Sequence, residues 1–272
     1  MHKQSGIIIL LFMSELDTEK QNRRQLVHVL LNMAEGMLLH GAEIYRVEDT
    51  IIRMGKAAGA AQMNVFVITS SIVLTVVFAD REILTETRRI TVGSSNDFTC
   101  LEELNRISRQ FCNAPVSPEE LQKKIDVAVQ PPASDMMMYI GSILAAGAFA
   151  VFFGGNIGDG IAAGLLGVLI GWMQKKIRWV FPNTVSFNIV CAFVIGCLIG
   201  LLTKAIPFLH FGMIMIGDIM LLIPGVATTV SIRDVLVGDT ISGTLRLIEC
   251  LLLAVALAYG FVMAIMLTGG AG

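Results

Sequence analysis

The chain has 272 residues, of which 54% are hydrophobic, and 20 Lys and Arg stand against 22 Asp and Glu for a net charge of −2. So even a balance excludes a basic nucleic-acid binder. The five cysteines (Cys100, Cys112, Cys191, Cys197, Cys250) are scattered with no C-x-x-C pair, so neither a disulfide scaffold nor a zinc site is expected.

Charge is unevenly divided. Residues 1–134 carry 30 of the 42 charged side chains, and residues 135–272 carry the remaining 12. The expected fold is therefore an α-helical membrane protein of five transmembrane helices, preceded by a small α+β cytoplasmic domain. The domain boundary is expected near Pro131-Pro132, giving a domain at 14–134 and a membrane part at 135–272.

Residues 1–13 contain an apolar octet, Gly6–Met13, too short to cross a bilayer and with no cleavage pattern after it. They read as an unstructured leader or an early start, with Met13-Ser14-Glu15 the alternative beginning. Leu26, Val29, Leu30, Met33, Met37 and Leu38 recur at helical spacing and stop at Gly41, a C-cap signal. A second helix is expected over 43–58. Its Arg46, Asp49 and Arg53 can pair along one face, whether as a solvated surface or as something functional.

Met63–Thr69 and Ile72–Phe78 read as strands joined at Ser70-Ser71, with a third candidate at Glu82–Val92. Helices are expected over 98–112 and 117–129, the latter with Pro118 in its first turn and Glu119-Glu120 at its N-terminus. No catalytic constellation is present: Gly93-Ser94-Ser95 is no nucleophile elbow, and no phosphate-binding loop occurs. His28 and His40 fall about 120° apart on a helix, so they do not form a ligand pair. No enzyme activity, metal or cofactor is expected.

Spans are expected at about 136–158, 159–174, 183–203, 212–229 and 248–268. With the N-terminal domain inside, Lys175, Lys176, Arg178, Arg233 and Arg246 fall in cytoplasmic loops and Lys204 outside. The C-terminus is then outside. Glycines recur at three or four in the second span (Gly160, Gly164, Gly167, Gly171), serving either close helix packing or a sliding surface.

The fourth span is unlike the others. It carries Asp218 within its apolar run and Pro224-Gly225 near its middle. Proline removes a backbone donor and clashes with the turn before it, and a carboxylate at that depth must be paired, protonated or facing water. Asp218, Pro224 and Gly225 are therefore the candidates for substrate or proton binding, a structural ion pair being the alternative for Asp218. Asp218 could meet an ammonium group while a half-helix N-terminus meets a carboxylate. Arg233, Asp234 and Asp239 could form an inner gate or an ordinary charged loop. Asp159, after Gly154-Gly155-Asn156, could line an outer vestibule or lie in a plain loop.

The chain as a whole resembles the N-terminal half of the threonine/serine exporter family. The likeness rests on GAEIYRVEDTIIRMGKAAG at 41–59, MNVFVITSSIVLTV at 63–76, the glycine-rich second span, and IPGVATTVSIRDVLVGDTISGTLR at 223–246. It covers about residues 25–268. Motif positions carried over are Gly41, Arg46, Glu48, Pro224, Gly225, Arg233, Asp234, Gly238 and Asp239. The resemblance implies an exporter of threonine and serine, or of succinate in split members, in the cell inner membrane. It implies a separate small membrane subunit supplying the C-terminal half, within an oligomer. A membrane-anchored regulatory or assembly subunit is the alternative.

Overall fold

The computed structural model describes residues 2–91, 97–130 and 136–269, with side chains described from residue 18 onward. The expected boundary at Pro131-Pro132 and the Gly93-Ser94-Ser95 stretch lie outside the described residues. The chain forms two compact units, Met1–Pro131 with Thr229–Leu245, and Pro132–Thr228 with Arg246–Gly272.

The first unit is built around α1 (His2–Leu39). Val27, Leu30, Leu31, Met33 and Met37 all have 0–1% exposure, so this helix is covered on nearly every side along its second half. It ends at Gly41, whose φ of +94° suits glycine, with the Ala42 N–H donating to the Met37 carbonyl at 3.0 Å. The amphipathic α2 (Ile44–Ala57) buries Ile44, Val47, Ile51 and Met54, spaced three and four apart.

A three-stranded antiparallel sheet follows, in the order β1 (Gln62–Ile68), β2 (Ser71–Val77), β3 (Ile83–Arg89). Ile68 pairs with Ser71, so the hairpin turn is Thr69-Ser70, one residue earlier than the sequence suggests. This register sends Ile72, Leu74 and Val76 of β2 into the core at 0% exposure. A slip by one residue would turn all three outward. The edge strand β3 ends in Arg88-Arg89, charges that discourage further strand pairing.

α3 (Phe98–Asn113) and α4 (Pro118–Ala128) complete the layer. Their caps are Asp97, which accepts from the Cys100 N–H at 3.0 Å, and Ser117, which accepts from the Glu120 N–H at 3.3 Å.

The second unit is helical. α5 (Met136–Phe152) stops short of the expected end at 158. Gly154 takes a φ of +106°, the Gly155 N–H donates to the Ala150 carbonyl, and Asn156 starts a new helix with a capping box. There follow α6 (Ile157–Lys176), a 3-10 turn at Arg178–Val180, α7 (Thr184–Ala205), α8 (Phe211–Leu222), α9 (Gly225–Val237) and α10 (Thr240–Thr268). Residues 229–245, which include most of α9 and the start of α10, belong to the first unit.

Among the described residues α6, α7 and α10 are long and apolar enough to cross a membrane. The bent pair α8 and α9 makes a fourth if it is counted as one span, and α5 is a shorter apolar helix.

Candidate functional site

The break expected at Pro224 is present, and its cause is local. A residue before proline is pushed out of the helical region, and Ile223 sits at φ −68°, ψ 132°. The Ile223 N–H still closes onto the Ile219 carbonyl at 2.9 Å, and the chain then turns by 56° into α9. On the far side both the N–H and the hydroxyl of Thr228 donate to the Pro224 carbonyl, at 2.9 and 2.8 Å. Gly225 has no positive φ, and a Cβ there would meet only Ile223 Cγ2, at 3.9 Å. The glycine is therefore not required by space.

One turn before the break lies Asp218, with 0% exposure and no hydrogen bond to either carboxylate oxygen among the described residues. α8 packs against α5, α6 and α7, and its buried face is Ile214, Gly217, Asp218 and Leu222. The neighbouring Gly217 packs against small residues of α5 and α6. A Cβ on Gly217 would lie 2.5 Å from the Ala146 carbonyl oxygen, 3.0 Å from Ala150 Cβ and 3.2 Å from Ala163 Cβ. From α7, the buried Cys191 comes within electrostatic reach of the carboxylate, and Asn188 is buried one turn earlier on the same helix. An unpaired carboxylate in such surroundings needs a proton, a metal-like cation or an ammonium group to offset its lost hydration.

Asp159 lies at the start of α6. It is fully buried, and its oxygens accept from the Asn156 N–H at 2.8 Å and the His210 N–H at 2.7 Å, with His210 Nδ1 at 2.9 Å. The Asn156 amide donates to the Phe208 carbonyl at 2.8 Å. One carboxylate thus holds the α5–α6 turn against the α7–α8 turn. Sequence inspection does not mark His210, because its partner is 51 residues away and neither loop has a recognisable spacing.

Arg233, Asp234 and Asp239 belong to the first unit. Arg233 donates to the Glu43 carboxylate at the start of α2. Asp234 is buried, and its carbonyl accepts from the Asp239 N–H at 2.9 Å as Gly238 (φ +111°) turns the chain into α10. Glu48 of α2 is half-buried and accepts from the Val67 N–H of β1 at 2.9 Å. Burial pushes its carboxyl up; the Val67 bond opposes this and the negative charge of Asp239 adds to it. Arg46 is exposed and has no ion partner among the described residues, whereas Asp49 pairs with Arg53 at 2.8 Å. Among the described residues no group of His, Cys, Asp and Glu could hold a metal ion.

The sequence profile of the threonine/serine exporter family matches residues 28–268. The chain is also similar to the protein named "Probable succinate transporter subunit YjjP" of Klebsiella aerogenes. The two are 24% identical over 260 residues, covering 93% of this chain and 98% of that protein. No solved structure matches it.

Proposed function

We propose, from the premise that this chain belongs to the threonine/serine exporter family, that it is one subunit of an inner-membrane secondary exporter of small polar metabolites. The cargo is threonine and serine or a succinate-type dicarboxylate, and a second small membrane subunit completes the transporter. The observation that carries the reading is Asp218: a carboxylate without exposure or partner, one turn from a helix break. Interrupted helices of this kind place polar groups at a substrate's depth in the bilayer.

The five-span topology fits this reading when α5 crosses as a short helix and α8 with the first turn of α9 crosses as one broken span. Lys175, Lys176, Arg178, Arg233 and Arg246 then share the cytoplasmic side with the N-terminal unit, and the C-terminus is outside. Asp218, with the Pro224-Gly225 break, takes the substrate's ammonium group or a coupling proton. The Arg233–Glu43 pair and Asp239 form the inner gate, and Asp159 fixes the outer turns.

The test loads cells with labelled threonine, serine and succinate in parallel and follows export with and without the neighbouring small membrane protein. Export of one of these should require both chains and be lost in Asp218→Asn at normal expression. A second reading, a regulatory or assembly subunit whose partner holds the pathway, is favoured by one feature. No Lys or Arg occurs at 179–203 or 205–232 to receive a carboxylate. Unchanged export by Asp218→Asn would establish that reading instead.

A further inference from the structure

The first unit contains an open cleft of about 570 Å³ between α1, β3 and α4, within the size range of small-molecule sites. Val29 and Pro118 form part of its apolar floor. Its polar groups divide into those with partners and those without. Asn32 donates to Gln122 Oε1 at 2.6 Å and accepts from Arg88 at 3.0 Å; Gln122 donates onward to Asp126 at 2.7 Å. His28 Nδ1 lies 3.7 Å from Glu86 Oε2.

Four groups are left over, one of them the exposed carboxylate of Glu119 in the first turn of α4, which has no ion partner among the described residues and whose charge the helix end favours. Arg24 and Lys123, one from each wall, are exposed and have no ion partner among the described residues. Beside them Gln25 Oε1 is covered and accepts no hydrogen bond. Two free cations against one free carboxylate leave room for a further anion, and an amide oxygen without a donor calls for an N–H or O–H. Little of the N-terminal turn of α4 is left to bind an anion, because Pro118 has no N–H and the Glu120 and Leu121 N–H groups donate to Ser117. The short apolar floor suits a few carbons.

We infer that this cleft binds a small carboxylate that also carries an amino or hydroxyl group, at a site separate from the membrane helices. The carboxylate lies between Arg24 and Lys123, and the Gln25 amide turns toward the cleft to accept from the amino or hydroxyl group. Such a site would let the first unit sense the concentration of a solute of the exporter's own chemical type.

The test is equilibrium dialysis of labelled L-threonine against the full chain in lipid nanodiscs. An Asp218→Asn background removes the membrane carboxylate from the measurement. One saturable site per chain is expected, weakened roughly tenfold or more by Arg24→Ala with Lys123→Ala, and also weakened by Gln25→Leu. Both cations are exposed, so the double variant should unfold at the wild-type temperature. L-threonine amide, which lacks the carboxylate, should not compete, and succinate, which lacks the donor, should compete more weakly. Wild-type binding by the double variant, equal competition by the amide, equal affinity for succinate, or no saturable binding would each overturn the assignment.

Discussion

His210 meets Asp159 twice: its backbone N–H donates to Oδ1 at 2.7 Å, and its ring Nδ1 lies 2.9 Å from Oδ2. An imidazole that is 64% exposed thereby closes over a carboxylate with no exposure at all. Removing the carboxylate strands the N–H groups of Asn156 and His210, so Asp159→Ala should destabilise the protein by about 2–4 kcal/mol. His210→Ala keeps its own N–H bond and loses only the ring, so about 1–2 kcal/mol is expected. Thermal unfolding in detergent measures both. Equal effects from the two variants would show that the ring, not the carboxylate, holds the turns together.

Asp218 should behave in the opposite sense. Its oxygens make no hydrogen bond, so an apolar side chain of similar size removes a desolvated polar group without stranding a partner. Asp218→Leu should raise stability by about 1–3 kcal/mol while abolishing export. A loss of stability would indicate a structural acid whose counter-group the resting conformation conceals.

Gly217 and Gly212 lie on the same helix and test packing directly. A Cβ at Gly217 would press on the Ala146 carbonyl at 2.5 Å, whereas one at Gly212 has nothing within 4 Å. Gly217→Ala should cost about 1–3 kcal/mol and impair export, since neither α5 nor α8 can shift cheaply. Gly212→Ala should change stability by less than about 1 kcal/mol. Indistinguishable unfolding temperatures would mean that α5 and α8 are not held together this closely.

Glu48 gives the first unit a pH dependence whose sign is fixed. Its folded carboxyl lies above the ordinary Glu value, chiefly because it is half-buried. Its contribution is fully present below the unfolded value and is lost as pH rises through the folded one. Wild-type stability should therefore decline as pH climbs from just above the ordinary Glu range, and Glu48→Gln should flatten that decline. Parallel pH profiles for the two proteins would remove Glu48 as the cause.

Local signals were the readable ones. Gly41 closes α1, Pro118 opens α4 and Pro224 ends α8 because each acts on backbone within a turn of itself. The buried acid at 218 was also visible, because a carboxylate among Met, Ile and Leu needs no partner to be noticed. The sequence leaves the hairpin turn uncertain by one residue because Ser70 and Ser71 look alike; only burial of Ile72, Leu74 and Val76 separates the registers. The end of α5 was missed because Phe152 and Phe153 continue its apolar run, although Gly154-Gly155-Asn156 contains the stop. Pairings such as Glu43 with Arg233, 190 residues apart, have no one-dimensional trace.

The twelve residues of α8 reach only about 18 Å along their axis, well short of the roughly 30 Å of hydrocarbon in a bilayer. In the proposed topology its carboxyl end stops part-way through the oil, where the carbonyls of a final turn carry negative potential of their own. Asp218 adds to that potential rather than cancelling it. In the proposed exporter, a visitor to this depth would be selected first by sign: protons and ammonium groups would be drawn in, and a doubly anionic cargo would have to approach from the amino end of the helix that follows.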